Sequence, residues 1–133
     1  VAHPTRTLEA DETKVAFRRI ADIASFFDEG AALWRISVPQ TAAEKLLQAL
    51  QPDHFIVDGA GGTLWVQSGA TDIHTQAASA GGHALLVRQQ ASAPEPADIF
   101  QPLDEVTHAL VSRLKDAFDP QRVLNPGRMY RNI

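Results

Sequence analysis

Two arginines and one rigid turn are the residues whose type and setting offer chemistry. Arg35 and Arg88 lie in segments that alternate as β-strands. An arginine fork can hold a carboxylate through two parallel hydrogen bonds, so each is a candidate anchor for a small acid. The same placement also suits a solvated strand residue or the partner of a nearby acid. The turn is Asn125-Pro126-Gly127, which follows Phe118-Asp119-Pro120 and the apolar pair Val123-Leu124. On physical grounds alone this is a helix, a stop, an anchor and a second stop.

Other chemistries lack a framework. His3, His54, His74, His83 and His108 have no close ligand spacing, so no metal is expected from them. Gly59-Ala60-Gly61-Gly62 lacks the Lys-Ser/Thr of a phosphate loop and joins strand to strand, which makes it a turn. Ser37, Ser68 and Ser79 have no nucleophile-elbow context. Asp116 and Asp119 flank the last turn of a helix, where a structural or solvated role is expected. No catalytic residue is assigned.

The elements that must position these residues follow from periodicity. Residues 1–12 read as a flexible tail and 13–27 as a helix, with Val15, Ile20, Ile23 and Phe27 on one face. Phe17 and Phe26 fall off that stripe, so the helix is expected either to bury more than one side or to meet a partner. Leu33 to Val38 alternates as a strand, Trp34, Ile36 and Val38 opposite Arg35 and Ser37. Thr41 with Glu44 predicts a capped helix through Leu50. Strands His54–Asp58 and Thr63–Gln67 flank the glycine turn. A helix capped at Thr71 runs to Ala80, and His83–Arg88 is the fourth strand. Residues 89–102, with Pro94, Pro96 and Pro102, form a linker. The last helix carries Leu103, Val106, Leu110, Leu114 and Phe118 on one stripe, with acids at its start and Arg113 and Lys115 near its end.

This order predicts an α+β, ferredoxin-like fold: an antiparallel four-stranded βαββαβ sheet, both crossover helices on one face, and an additional helix at each end. The uncovered face carries Arg35, Ser37, Thr63, Trp65 and Gln67, with Arg88 able to alternate onto it. Such a face suits water or a polar ligand.

The chain has 133 residues, 44% hydrophobic and 21% charged, as one soluble domain would. A net charge of -4 gives no reason to expect nucleic acid. There is no cysteine, hence no disulfide framework, and no apolar run long enough to span a bilayer. The chain opens Val-Ala-His-Pro without Met, so a piece of something longer is expected.

The run Arg113 to Tyr130, RLKDAFDPQRVLNPGRMY, resembles the C-terminal signature of FAD-linked oxidases of the vanillyl-alcohol-oxidase type. Ala32–Pro39, Asp58–Trp65 and Ala80–Arg88 are similar to the flavin-binding subunits of bacterial glycolate oxidases, more properly dehydrogenases. The resemblance implies a domain over 13–133 that caps a flavin, with the N-terminal FAD-binding domain absent. It implies FAD in the full-length protein and none bound to this fragment, which is not expected to be active alone. Asn125, Pro126 and Gly127 would lie by the cofactor, and Arg35 and Arg88 by a 2-hydroxy acid such as glycolate, whose α-hydride passes to FAD. The implied partners are the missing domain, a catalytic flavoprotein subunit and an iron–sulfur subunit. The implied location is the cytoplasm, or a membrane reached through a partner subunit. The competing expectation is a free-standing ferredoxin-like module that binds a small ligand or dimerises.

Overall fold

The computed structural model describes residues 7–93, 98–130 and 133. Its elements are α1 (Ala10–Ala21), β1 (Leu33–Ser37), α2 (Ala43–Leu50), β2 (His54–Asp58), β3 (Thr63–Gln67), α3 (Ile73–Ser79), β4 (His83–Arg88) and α4 (Glu105–Phe118). The strands form one antiparallel sheet in the order β2-β3-β1-β4. This is the ferredoxin-like arrangement, with α1 before it and α4 after it.

Alternation places Trp34, Ile36, Leu64, Val66, Ala84 and Leu86 on one face, where they pack with Ala43, Leu46 and Leu50 of α2 and Ile73 and Ala77 of α3. Both crossover helices therefore share that face. Burying these aliphatic side chains stabilises the sheet by about 1.5–3 kcal/mol per large residue.

Helix starts differ from the sequence reading. Thr41 does not cap α2; Gln40–Ala42 form a 3-10 turn and the helix begins at Ala43. At α3 the cap position is Asp72, not Thr71, and the Asp72 carboxylate accepts from Gln76 Nε2 at 2.7 Å. Helix α1 begins inside the expected tail, because the Glu12 carboxylate accepts from the Glu9 N–H at 3.1 Å and satisfies a free first-turn donor. It ends at Ala21, and Ile23–Phe26 form a separate 3-10 turn. The expected linker also contributes to the sheet: Phe100 bridges Leu85, and Leu86 N–H donates to the Ile99 carbonyl at 2.8 Å. Pro94 and Pro96 of that linker lie outside the described residues.

Candidate functional site

The other face of the sheet is divided in two. One end is closed by the segment before β1. Gln67, buried on β3, accepts from the Asp28 N–H at 2.9 Å and donates to the Asp28 carboxylate at 3.1 Å. Arg88 donates through Nε to the Ala31 carbonyl at 3.0 Å and through Nη2 to the Asp28 carbonyl. Leu33, fully buried, and Phe27, nearly so, lie outside the main core cluster.

The opposite end is open and carries two cross-strand rows. Trp65, Arg35 and Leu85 are in register across β3, β1 and β4, followed by Thr63, Ser37 and His83. Cross-strand neighbours have Cβ atoms about 4.5–5.5 Å apart. The Arg35 guanidinium lies 6.0 Å from the Trp65 ring centroid, within cation–π range. Gly82 sets the start of β4 against β1: a Cβ there would lie 2.1 Å from the Ser37 carbonyl oxygen and 2.5 Å from Val38 Cγ1. Only glycine permits that approach.

A cavity of about 510 Å³ stands over these rows, with Arg35, Ser37, His83 and Leu85 on its floor and Phe100 to Asp104 and Tyr130 around it. Gln101 holds this wall. Its Oε1 accepts from the Ala84 N–H at 3.1 Å and its Nε2 donates to the His74 carbonyl at 3.0 Å. The His74 ring contacts Gln101 Oε1 through Nδ1 and the Asp98 carbonyl through Nε2, each at 3.1 Å. The Tyr130 hydroxyl donates to the Gln101 carbonyl at 3.2 Å, and its ring packs against Phe100. Asp104 is committed to capping α4: one carboxylate oxygen accepts from the Val106 and Thr107 N–H groups, the other from the Thr107 hydroxyl. The hydroxyl bond, foremost, holds its pKa below the ordinary carboxylate value.

After α4 the chain turns back as a strap. Asp119 is buried and accepts from the Val123 and Leu124 N–H groups at 3.0 and 2.9 Å, while Lys115 pairs with it at 2.8 Å. Lys115 also donates to the Leu124 carbonyl. The Lys115 ammonium, more than the two backbone donors, holds the Asp119 carboxyl below its ordinary range against the opposing effect of burial. Asn125 takes the left-handed conformation at φ 47°, and Gly127 at φ 66°. A second groove, of about 770 Å³, lies between α4 and this strap, lined by Leu114, Leu124, Asn125, Arg128 and Met129 among others. Leu103 and Tyr130 line both cavities and form the shared wall.

The structure thus brings Arg35 into the sheet-face cavity and places Asn125 in the groove on the far side of Tyr130. Arg88 is not among the cavity-lining residues. The β1–β4 register shifts between Leu33 and Trp34, which pair with Arg88 and Leu86. The intervening Val87 is a bulge, which puts Arg88 across from Leu33 at the closed end. Pro126 is exposed. His83, Gln101 and Tyr130 were not singled out by the sequence. His83 could have been found from its position just after Gly81-Gly82 on a strand opposite Ser37; Tyr130 is the one tyrosine of the chain.

Helix α4 presents an unpartnered stripe. Val106 is 79% exposed and Phe118 84%, with Leu110 and Leu114 about half exposed. Val123, Leu124 and Met129 extend this apolar surface onto the strap. Among the described residues no His, Asp and Glu cluster could hold a metal, and no helix is long and apolar enough to cross a membrane.

Residues 99–129 match the family "FAD linked oxidases, C-terminal domain", which covers the α4 helix and the strap. The chain is 37% identical over 110 residues to glycolate oxidase subunit GlcE of Escherichia coli (strain K12). That match spans 81% of this chain and 29% of the relative, so the chain covers under a third of the curated protein's length. No solved structure matches it. The two matches together support a C-terminal fragment of a GlcE-type FAD-linked oxidase.

Proposed function

We propose that this chain is the cap of an FAD-dependent 2-hydroxy-acid dehydrogenase subunit, glycolate being the substrate suggested by its relative. The observation that carries this reading is the half-closed sheet: one end is sealed by Asp28 and Arg88, the other left open around Arg35 beside the strap. The cap lays its open face over the flavin and substrate, and the Asn125-Pro126-Gly127 strap leads back to the flavin domain.

The residues present fit an edge contact with FAD, not a full site. At the glycine cluster, the Gly59 N–H is taken by the Asp58 carboxylate at 2.6 Å and the Gly62 N–H by the Gly59 carbonyl. Those two donors are therefore not available to a pyrophosphate. In this reading the pyrophosphate grip falls to the N-terminal FAD-binding domain, while Asn125, Pro126 and Gly127 offer a contact along the cofactor's flank. FAD, when bound, accepts the substrate's α-hydride. This chain's share is to hold the acid through Arg35, to keep water from the sheet face with Trp65, Leu85 and Tyr130, and to fix the strap through Asp119.

In this reading the exposed stripe of α4 docks on the flavin domain. A catalytic flavoprotein subunit and an iron–sulfur subunit complete the assembly, which works in the cytoplasm or at a membrane through a partner. The test is the full-length subunit: flavin content is measured with and without residues 99–133. Equal flavin retention would remove the strap from the cofactor site.

A dimerising or ligand-binding module is the competing reading. The free edge of β2, where Phe55 and Val57 are half exposed, favours it. A concentration-dependent dimer that loses self-association on Phe55→Lys would support that reading.

A further inference from the structure

The floor of the sheet-face cavity contains more than Arg35. Its polar side chains divide into those committed elsewhere and those without a hydrogen-bond partner among the described residues. Asp104 is spent on the α4 cap, and the Tyr130 hydroxyl on the Gln101 carbonyl. Arg35, Ser37 and His83 are left, and all three belong to one face of β1 and β4. Around them the cavity is apolar, with Leu85, Phe100 and Leu103 among its lining. An exposed cation at the mouth of an apolar cavity, beside a hydroxyl and an imidazole, is a pattern that suits a ligand with one anionic end and one hydroxyl end.

The spacing agrees with that division. Ser37 follows Arg35 by two residues, about 6.6 Å along the strand, and His83 stands directly across from Ser37. A carboxylate held in the Arg35 fork would present an α-hydroxyl toward the Ser37–His83 row. Gly82 is what lets this row close, since β4 could not start so near the Ser37 carbonyl with any side chain there. The Arg35 guanidinium is steadied from the opposite side by the Trp65 ring.

Resting on the functional reading above, we infer that His83, with Ser37, forms the hydroxyl-recognising half of a 2-hydroxy-carboxylate site whose anionic half is Arg35, and that His83 accepts the hydroxyl proton when the acid is oxidised. In that step the O–H bond breaks toward the unprotonated imidazole nitrogen, which ends as imidazolium. The α-hydrogen would leave with the bonding electron pair, as hydride, and the flavin of the full-length protein would be the oxidant that takes it. The carbon–oxygen bond becomes a carbonyl, so the product is the 2-oxo acid and the flavin gains two electrons. A positioned base of this kind contributes about 10²–10⁴-fold to rate.

The test reads binding on this chain, without turnover. Glycolate and acetate are titrated separately while the imidazole resonances of the histidines are followed by NMR. The expected result is saturable movement of the His83 ring with glycolate, weaker binding of acetate and no such movement with it. Arg35→Gln should weaken glycolate binding at least tenfold. His83→Gln should abolish the preference for glycolate over acetate while leaving acetate binding within twofold. Both side chains are exposed, so neither variant should lower the thermal midpoint. Absence of saturable glycolate binding, equal binding of the two acids, or an unmoved His83 ring overturns the inference. Flavin content of the full-length subunit separates the two claims. Flavin held there without glycolate binding here would leave the cap reading and remove this site; glycolate binding here with no flavin there would do the reverse.

Discussion

Lys115 and Asp119 meet at 2.8 Å, one helical turn apart, with side chains only 17% and 6% exposed. Asp119 in turn holds the N–H groups of Val123 and Leu124, and Lys115 the Leu124 carbonyl. One ion pair therefore ties the end of α4 to the strap. Because the folded state holds the Asp119 pKa below its ordinary value, the carboxylate contributes stability above that value. The contribution is lost as pH falls through the depressed pKa. Amide hydrogen exchange at Val123 and Leu124 should quicken in strong acid, and Asp119→Asn should show similar loosening already at neutral pH. Protection unchanged by both would detach the strap from this pair.

Gly82 is the tightest approach at the site. Gly82→Ala should cost at least the usual overpacking penalty of about 1–3 kcal/mol, because the clash is with the Ser37 backbone and Val38. Gly69→Ala meets nothing within 4 Å and serves as the control. Chemical denaturation of the two variants measures the difference. A neutral Gly82→Ala would mean that β4 can start elsewhere.

The two arginines should separate by what they disturb. Arg88→Ala removes bonds to the Asp28 and Ala31 carbonyls and should cost about 1–2 kcal/mol, lowering the thermal midpoint. Arg35→Ala should leave the midpoint within a degree or two and, on the proposed function, raise KM for a 2-hydroxy acid in the full-length subunit, with flavin content constant. A KM effect confined to Arg88→Ala would reverse these roles.

What the sequence made legible was what repeats locally. Strand alternation around Trp34, Leu64 and Leu86 located the sheet, its order and its core face, because period two and period 3.6 sort side chains before any tertiary contact forms. Helix starts were less legible: Thr41 and Thr71 have the right chemistry for caps, yet Ala42 and Asp72 occupy those positions. The site was partly legible. Arg35 stood out by its strand, but the pairing of Asp28 with Gln67 spans 39 positions and that of His74 with Gln101 spans 27. Such contacts leave no periodic trace. The bulge at Val87, which fixes where Arg88 points, likewise has no glycine or proline to announce it.

The exposed stripe of α4 gives a prediction in which burial differs between two proteins. Leu110→Lys replaces a half-exposed apolar side chain with a charged one on a helix that few tertiary contacts hold here. In this chain the midpoint should be unchanged or slightly raised. In the full-length subunit, if the stripe docks on the flavin domain as proposed, the same change would bury a charge and should release flavin or precipitate the protein. Equal behaviour in both would mean that the stripe remains in water.

Asn125 supplies the last test, and its backbone decides how it must be run. With φ at 47°, Asn125 sits where asparagine is tolerated and alanine is strained, so Asn125→Ala changes conformation as well as chemistry. Asn125→Gly removes the side chain while keeping the left-handed turn accessible. In this chain Asn125→Gly should leave the thermal midpoint nearly constant, since the residue is exposed and no core packing depends on it. In the full-length subunit, if the Asn125 side chain contacts the cofactor, Asn125→Gly should itself weaken FAD retention, and Asn125→Ala should weaken it at least as much. If the turn alone matters, glycine should preserve flavin content and alanine should reduce it, by about the 1–2 kcal/mol of left-handed strain, or roughly tenfold in the FAD dissociation constant. Flavin content unaffected by both substitutions would place the strap away from the cofactor and remove the strongest residue-level link between this chain and FAD in the proposed reading.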